Sequence, residues 1–275
     1  MSVIRTRLVA ASFSTAVILA VIASYALAQS ARSATRARTL LAVFAHPDDE
    51  TIAGPLLARY GADGKTRVVL AIVTNGDKGA TPFAGVPAGE RLAAVRVKEA
   101  ECSARALGAD PPIMFGLPDG EMSRMPVFGQ AMTKLRALLD ETKPDAIVTW
   151  GPDGGYGHPD HRLVSALVTQ VVQAGHTQAA LYYAGLPKSG MDKAATTAMK
   201  FPAPFAPVVD EALNARVTYS RDDFARAGRS LACHASQFTP DTMKVLMDMT
   251  DQVNGGHMHL RSWNGGATRS DLFVR

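Results

Sequence analysis

The sequence predicts a single α/β domain of three layers, a mostly parallel sheet between two layers of helices. Three observations predict it. Short apolar runs alternate with longer segments that carry helix start and stop signals, from Leu40 to Ala184. The first run is apolar at every position, as in a strand buried on both faces. The chain has 275 residues, with hydrophobic residues at 47% and charged residues at 20%, enough for one large core.

The elements follow in order. Leu40 to Ala45 is the first strand, and Asp49 to Tyr60 a helix ended by Gly61 and Gly64. Arg67 to Val73 is a second strand, stopped by Thr74-Asn75-Gly76. Glu90 to Leu107 is a long helix with Gly108 as its C-terminal stop. Ile113 to Phe115 is a short third strand, and Pro126 to Thr142 a helix with Pro at an allowed early position. Ala146 to Trp150 is the fourth strand, Pro159 to Ala174 a helix, and Ala180 to Ala184 the fifth strand. Repeated strand–helix–strand units require right-handed crossovers and a Rossmann-like arrangement. Sites in such sheets lie beyond the carboxyl ends of the strands.

After residue 185 the pattern loosens. Pro202, Pro204 and Pro207 exclude a helix there, and Val217 to Tyr219 reads as a strand. Asp222 to Ala235 and Thr239 to Val253 read as helices. Beyond about residue 254 the chain reads as an irregular tail, with His257 and His259 exposed beside Gly255-Gly256 rather than forming a second metal site. His176 reads as a helix end.

The N-terminus carries a different signal. Arg5 and Arg7 precede an uncharged stretch from Leu8 to Ala28 that ends in Ala26-Leu27-Ala28, an A-x-A pattern for signal peptidase. Residues 1–28 are therefore expected to be a signal peptide, 29–38 a linker, and 39–275 the folded domain. An uncleaved anchor is the alternative, because about 20 apolar residues span a bilayer. Either way the domain is expected outside the cytoplasmic membrane, not embedded in it. Of the 29 Lys and Arg, five lie before Thr39, leaving 24 against 25 Asp and Glu. The folded part is near neutral, which gives no support for a nucleic-acid partner. Export permits a disulfide between Cys102 and Cys233, and two buried thiols are the alternative.

Two polar segments carry chemistry. Ala45-His46-Pro47-Asp48-Asp49-Glu50 follows the first strand and opens a helix. An imidazole with a carboxylate three positions on suits zinc or iron. Taken alone, the segment also reads as an Asp-rich helix cap. Gly151 to His161, with Tyr156, His158, Asp160 and His161, follows the fourth strand in the same manner. Its glycines let backbone approach a ligand closely. Two His-Pro-Asp turns at separate strand ends are hard to explain as structure alone. No glycine-rich phosphate fingerprint follows the first strand, which excludes a P-loop or dinucleotide protein.

These segments resemble the LmbE-like or PIG-L-type deacetylases, zinc enzymes that remove acetyl groups from N-acetylglucosamine-containing molecules. The resemblance extends to Arg96 to Ala100 with Leu107-Gly108, to Gly116 to Gly120, and to His234-Ala235-Ser236-Gln237, so it spans roughly residues 40 to 240. It implies that His46, Asp49 and His161 hold zinc, or Fe(II), which the same donors suit, and that Asp48 is the general base. His158 would face the oxyanion or protonate the leaving amine. Asp160 would fix an imidazole tautomer, and Tyr156 would polarise the amide carbonyl. Arg96 and Asp119 would bind sugar hydroxyls, with an intrahelical ion pair and a turn as their plainer readings. Asn75 and Asp77 read as a turn, and His234 is placed near the site only by the resemblance. The expected function is thus metal-dependent N-deacetylation of a small-molecule or glycan substrate. Hydrolysis of another small amide, such as a thiol or antibiotic conjugate, and non-catalytic sugar binding are the alternatives.

Overall fold

A computed structural model of the protein describes residues 38–196 and 204–273. The signal-peptide reading and all but the last residue of the linker lie outside them. The described residues form one compact unit. No helix of the described residues is long and apolar enough to cross a membrane.

Five strands run parallel: β1 (Arg38–Phe44), β2 (Thr66–Thr74), β3 (Ile113–Leu117), β4 (Ala146–Trp150) and β5 (Ala180–Ala184). A two-stranded ribbon, β6 (Leu186–Pro187) with β7 (Pro207–Val208), stands apart. Two antiparallel strands, β8 (Ala215–Thr218) and β9 (His257–Ser262), finish the main sheet. Its order is β3-β2-β1-β4-β5-β9-β8.

Side-chain alternation along β1 divides the core. Leu40, Ala42 and Phe44 join one apolar cluster, Leu41, Val43 and Ala45 the other. The first is covered by α1 (Gly54–Ala62) and α2 (Glu90–Leu107), through Leu56, Leu57 and Leu107. The second is covered by α3 (Met125–Thr142) and α4 (Pro159–Gln173), through Leu135 and Val164. Further along are α5 (Lys188–Ala195), α6 (Arg221–Ala232) and α7 (Pro240–Asn254). A Ser220–Asp223 capping box starts α6, which packs on α1 and α2.

Two expectations change. The first helix opens with a 3-10 turn, Asp49–Ala53, and α1 runs through Gly61 to Ala62. The expected irregular tail is the strand β9, inserted between β5 and β8. Met258 and Leu260 point into the core while His257 and His259 are half-buried on the other face, so the two histidines are part of the sheet rather than of a tail.

The strand order fixes where a site forms. From β1 the chain builds outward to β2 and β3, then returns to place β4 on the other side of β1. The crevice at this reversal lies beyond the carboxyl ends of β1 and β4. Those are the strands that the two His-Pro-Asp segments follow.

Candidate active site

The segment after β1 turns sharply. Asp48 has φ +117, rare for a residue with a side chain and strained. Three groups hold it there. Its N–H donates to Glu50 Oε2 at 3.0 Å, its carbonyl accepts from Thr51 Oγ1 at 2.6 Å, and Arg96 Nη2 pairs with its Oδ1 at 3.0 Å. Burial and the neighbouring Asp49 push the Asp48 carboxyl up against the pull of Arg96, to about 6.

Asp49 points the other way. Its Oδ2 accepts from Ala45 N at 3.0 Å, His46 N at 2.9 Å and Trp150 Nε1 at 3.1 Å. Its Oδ1 lies 3.0 Å from His161 Nε2. Burial alone would raise this carboxyl, but His161 and His46 outweigh it and hold it well below the usual range.

The two imidazoles are oriented by their outer nitrogens. His161 Nδ1 faces the Gly154 carbonyl at 3.1 Å and therefore carries the proton. His46 Nε2 faces Asp119 Oδ1 at 3.1 Å, with Asp160 Oδ2 at 3.6 Å, and carries its proton in turn. Each ring then presents a lone pair inward, and the two inward nitrogens, His46 Nδ1 and His161 Nε2, are 3.2 Å apart. Either a second proton on His46 or a bound cation relieves the contact between the two nitrogens. Burial lowers the His46 imidazole, but Asp49, Asp119 and Asp160 reverse this and raise it well above its ordinary value. Metal bonds of about 2.0–2.1 Å at tetrahedral angles place donor atoms roughly 3.3 Å apart, so the spacing fits a mononuclear metal.

The β4 segment completes the arrangement. Trp150 stacks on His161 at 4.5 Å between ring centroids with planes 6° apart. Gly155, at φ +72, lets the loop pass over that indole, since a Cβ there would come within 2.6 Å of it. His158 and Tyr156 follow, Tyr156 edge-on to His161 at 5.3 Å and 38% exposed. Burial and the neighbouring His161 and His46 hold the His158 imidazole below its ordinary value. Its Nδ1 is buried without a hydrogen-bond partner.

The structure thus gathers His46, Asp48, Asp49, His158 and Tyr156 at one pocket, with His161 and Asp160 buried just behind. Arg96 and Asp119 also line it, and both already have partners in the protein. Arg96 is 3% exposed and donates to the Pro47 and Gly76 carbonyls besides pairing with Asp48. Asp119 accepts from Lys78 N at 3.1 Å besides its contact with His46. Arg96→Met should therefore destabilise the protein by about 3 kcal/mol, by unpairing buried charge. Thermal unfolding checks this, and an unchanged Tm with only a raised KM would point to the sugar-binding role expected from the sequence.

Asp77 stays in its turn, where Oδ1 accepts from Asp119 N at 3.1 Å. His234 is fully buried behind the loop, its Nε2 2.7 Å from Glu50 Oε1. Ser103 donates to the same Glu50 oxygen and lies 2.7 Å from Ser230. Glu50, Ser103 and Trp150 support the site without having been singled out in the sequence. Glu50 stood inside the first motif, and Trp150 ended the fourth strand, yet their partners are 184 and 101 residues away. Cys102 and Cys233, one residue before Ser103 and His234, are joined by a disulfide.

Fold and cluster together define a protein with a His and Asp donor set, of the kind that holds a mononuclear metal, at the strand-order reversal of a parallel sheet. Residues 41–172 match the family model PIG-L, GlcNAc-PI de-N-acetylase. A 1D-myo-inositol 2-acetamido-2-deoxy-alpha-D-glucopyranoside deacetylase of Rhodococcus erythropolis is 30% identical over 242 residues, covering 74% of this chain and 82% of its own. One of the same name from Mycobacteroides abscessus is 30% identical over 231 residues, with the same coverage. The chain belongs to the PIG-L family and is an amide hydrolase of the deacetylase class. Among solved structures, N,N'-diacetylchitobiose deacetylase from Pyrococcus horikoshii superimposes with a TM-score of 0.61 at 20% identity, covering 82% of this chain and 83% of its own. The 4-carboxy-2-hydroxymuconate hydratase GalB of Pseudomonas putida reaches 0.63 at 15% identity, covering 85% and 99%. The fold therefore hosts more than one chemistry, and the activity must be argued from the site.

Proposed function

We propose that the protein is an exported, metal-dependent N-deacetylase that hydrolyses the acetamide of an N-acetylglucosamine-containing substrate. One observation carries the reading. His46 Nδ1 and His161 Nε2 face each other at 3.2 Å beside Asp49, at donor spacing for one metal ion, with the Asp48 carboxyl at the same pocket. Donors also gather on the far side of His46, as Asp119 and Asp160. Those carboxylates already fix the His46 tautomer, which leaves the Nδ1 side for the metal. His46, Asp49 and His161 would hold it, with His158 close enough to approach the same point.

A zinc or ferrous ion bound there would polarise the acetamide carbonyl and acidify a water. The chain's own residues do the rest. Arg96 engages Asp48 Oδ1, so Oδ2 is the oxygen left to take the proton of the attacking water. A carboxyl raised to about 6 is well matched to that task near neutral pH. His158 hydrogen-bonds the developing oxyanion or passes a proton to the departing nitrogen. Tyr156 closes over the carbonyl from the glycine loop. Water's oxygen bonds to the acyl carbon, the C–N bond breaks, and the free amine leaves with acetate.

Export is supported by the charge-free run from Leu8 to Ala28 and its Ala26-Leu27-Ala28 end. The Cys102–Cys233 disulfide suits an oxidising compartment. The near-neutral folded part and the curated relatives' names favour a small-molecule or glycan substrate.

The test is an acetate-release screen over acetylated amino sugars and oligosaccharides, run with metal analysis and an intact mass. Expected are one equivalent of zinc or iron, acetate from an N-acetylglucosamine derivative, and a chain that begins at Gln29. Acetate from other amides alone would replace the substrate. A metal-free, inactive protein would overturn the mechanism.

A further inference from the structure

A second groove, with a volume of about 980 Å³, shares no lining residue with the pocket at the His/Asp cluster. Ligand sites span roughly 300–1,000 Å³, so it is large enough to hold a molecule of its own. Its walls follow from the fold. One is a face of α4, on which Arg162, Ala166, Gln170 and Gln173 recur every three or four residues. The other comes from β9. Arg261 stands opposite Tyr183 in the β5–β9 register. Trp263, two residues on, keeps to the same face because its N–H still bonds the Leu181 carbonyl at 2.9 Å. From Arg162 to Gln173 the helix wall runs about 16 Å at 1.5 Å per residue, longer than a single pyranose ring.

The walls are fixed and the polar tips are free. Thr169 Oγ1 lies 2.7 Å from the Tyr183 hydroxyl. Asn214 donates to Ser262 Oγ at 2.7 Å and accepts from Ser262 N at 2.8 Å. By contrast, among the described residues the side chains of Gln170, Gln173 and Glu211 make no hydrogen bond to the protein. Arg261 is partly buried, with its guanidinium 5.1 Å from the centre of the Tyr183 ring and no carboxylate paired with it among the described residues. Trp263 is 42% exposed.

These groups suit a sugar. The C–H face of a pyranose stacks on an indole, and its hydroxyls replace water on free amides. A guanidinium held over a ring, with no acid of its own, is best matched by a ligand carboxylate, which it grips through parallel N–H bonds. Glu211 accepts hydroxyls and opposes a dense polyanion such as nucleic acid. Trp263 is alone among the lining residues as a large, exposed apolar side chain, too little to seat a second copy of the chain.

We propose that this groove is a second binding site, for a saccharide chain that carries an acidic group, with Trp263 under a sugar ring and Arg261 on the acid. The site stands independently of deacetylation at the cluster. It is nonetheless adjacent to it in the fold. Arg162, at one end of the groove, donates from Nε to the Asp153 carbonyl at 3.1 Å and packs against Gly154, where a Cβ would come within 2.8 Å of it. A chain held in the groove therefore lies against the glycine loop that carries Tyr156 and His158.

The experiment uses chains without an acetamide, so that hydrolysis plays no part: xylopentaose, xylotetraose bearing one glucuronate, and free glucuronate. Calorimetry should show the acidic chain binding roughly tenfold more tightly than xylopentaose, the gain of one charge-assisted hydrogen bond. Arg261→Gln should remove that difference, and Trp263→Ala should weaken both chains by about fivefold, the loss of one stacking contact. Should either variant not fold, the unaltered protein still decides. The chain has two tryptophans, and the Trp150 indole N–H bonds Asp49 in the cluster. The acidic chain should therefore shift the indole N–H resonance of Trp263 and leave that of Trp150 in place. A shift confined to Trp150, or no binding at all, overturns the proposal. Equal affinity for the neutral chain overturns the acidic group, and equal affinity for free glucuronate overturns the chain. A dimer in light scattering that Trp263→Ala dissociates, with no saccharide bound, makes the groove a subunit interface and overturns it as well.

Discussion

Asp48→Ala should lower kcat by about two to four orders of magnitude, the range over which a positioned general base acts, and leave metal content unchanged. Asp49→Ala should instead lose the metal. The two carboxylates are neighbours in sequence with opposite environments. Asp49 Oδ2 sits under three N–H donors, and its Oδ1 faces His161. Such a carboxylate is fixed, ionised and suited to a cation. Asp48 lies at the pocket on a strained backbone, with one oxygen on Arg96 and its carboxyl raised to about 6. That describes a group that exchanges a proton. Metal analysis alongside single-turnover kinetics separates the two. Loss of metal from Asp48→Ala with the fold intact would reverse the assignment.

The sequence made the parallel sheet legible because the physics involved is local. A strand buried on both faces must be apolar throughout, and β1, β4 and the helix stops at Gly108 and the Thr74-Asn75-Gly76 turn are written in consecutive residues. The paired His-Pro-Asp segments were legible for the same reason: each is one strand exit. β9 was hidden because its alternation of Met258 and Leu260 is short and flanked by glycines, and its partners are β5 and β8, far along the chain. A strand of that kind is defined by its pairing more than by its own residues.

The roles of Arg96 and Asp119 show a second limit. Their residue types fit sugar binding as well as support of the loop, and the contacts that give them a supporting role are long-range. Arg96 reaches from α2 to the Pro47 carbonyl and to Asp48, 49 and 48 residues back in sequence. Asp119 holds His46 across 73 residues. The glycine at 76 stands where the guanidinium passes, and a side chain there would collide with it. Support for the loop therefore comes in part from residues whose local signal is weak, because they lie far from it in sequence.

Replacing both Cys102 and Cys233 by Ser should cost about 4–5 kcal/mol of stability in the chain-entropy limit, since the bridge closes a separation of 131 residues. For a domain of this size that is a fall in Tm of roughly 10–20 °C. The bridge ties α2 to the end of α6, and its two residues precede Ser103 and His234. Both of those engage Glu50, and Glu50 receives the Asp48 N–H. Loss of the bridge should thus reach the base as well as the fold. At a temperature where the variant is fully folded, kcat should fall by severalfold with KM little changed, and Glu50→Gln, with the disulfide intact, should produce the same pattern without the large loss of Tm. Calorimetry and steady-state kinetics on both variants check it. A serine variant that melts lower yet turns over at the original rate would confine the disulfide to stability and break its link to Asp48.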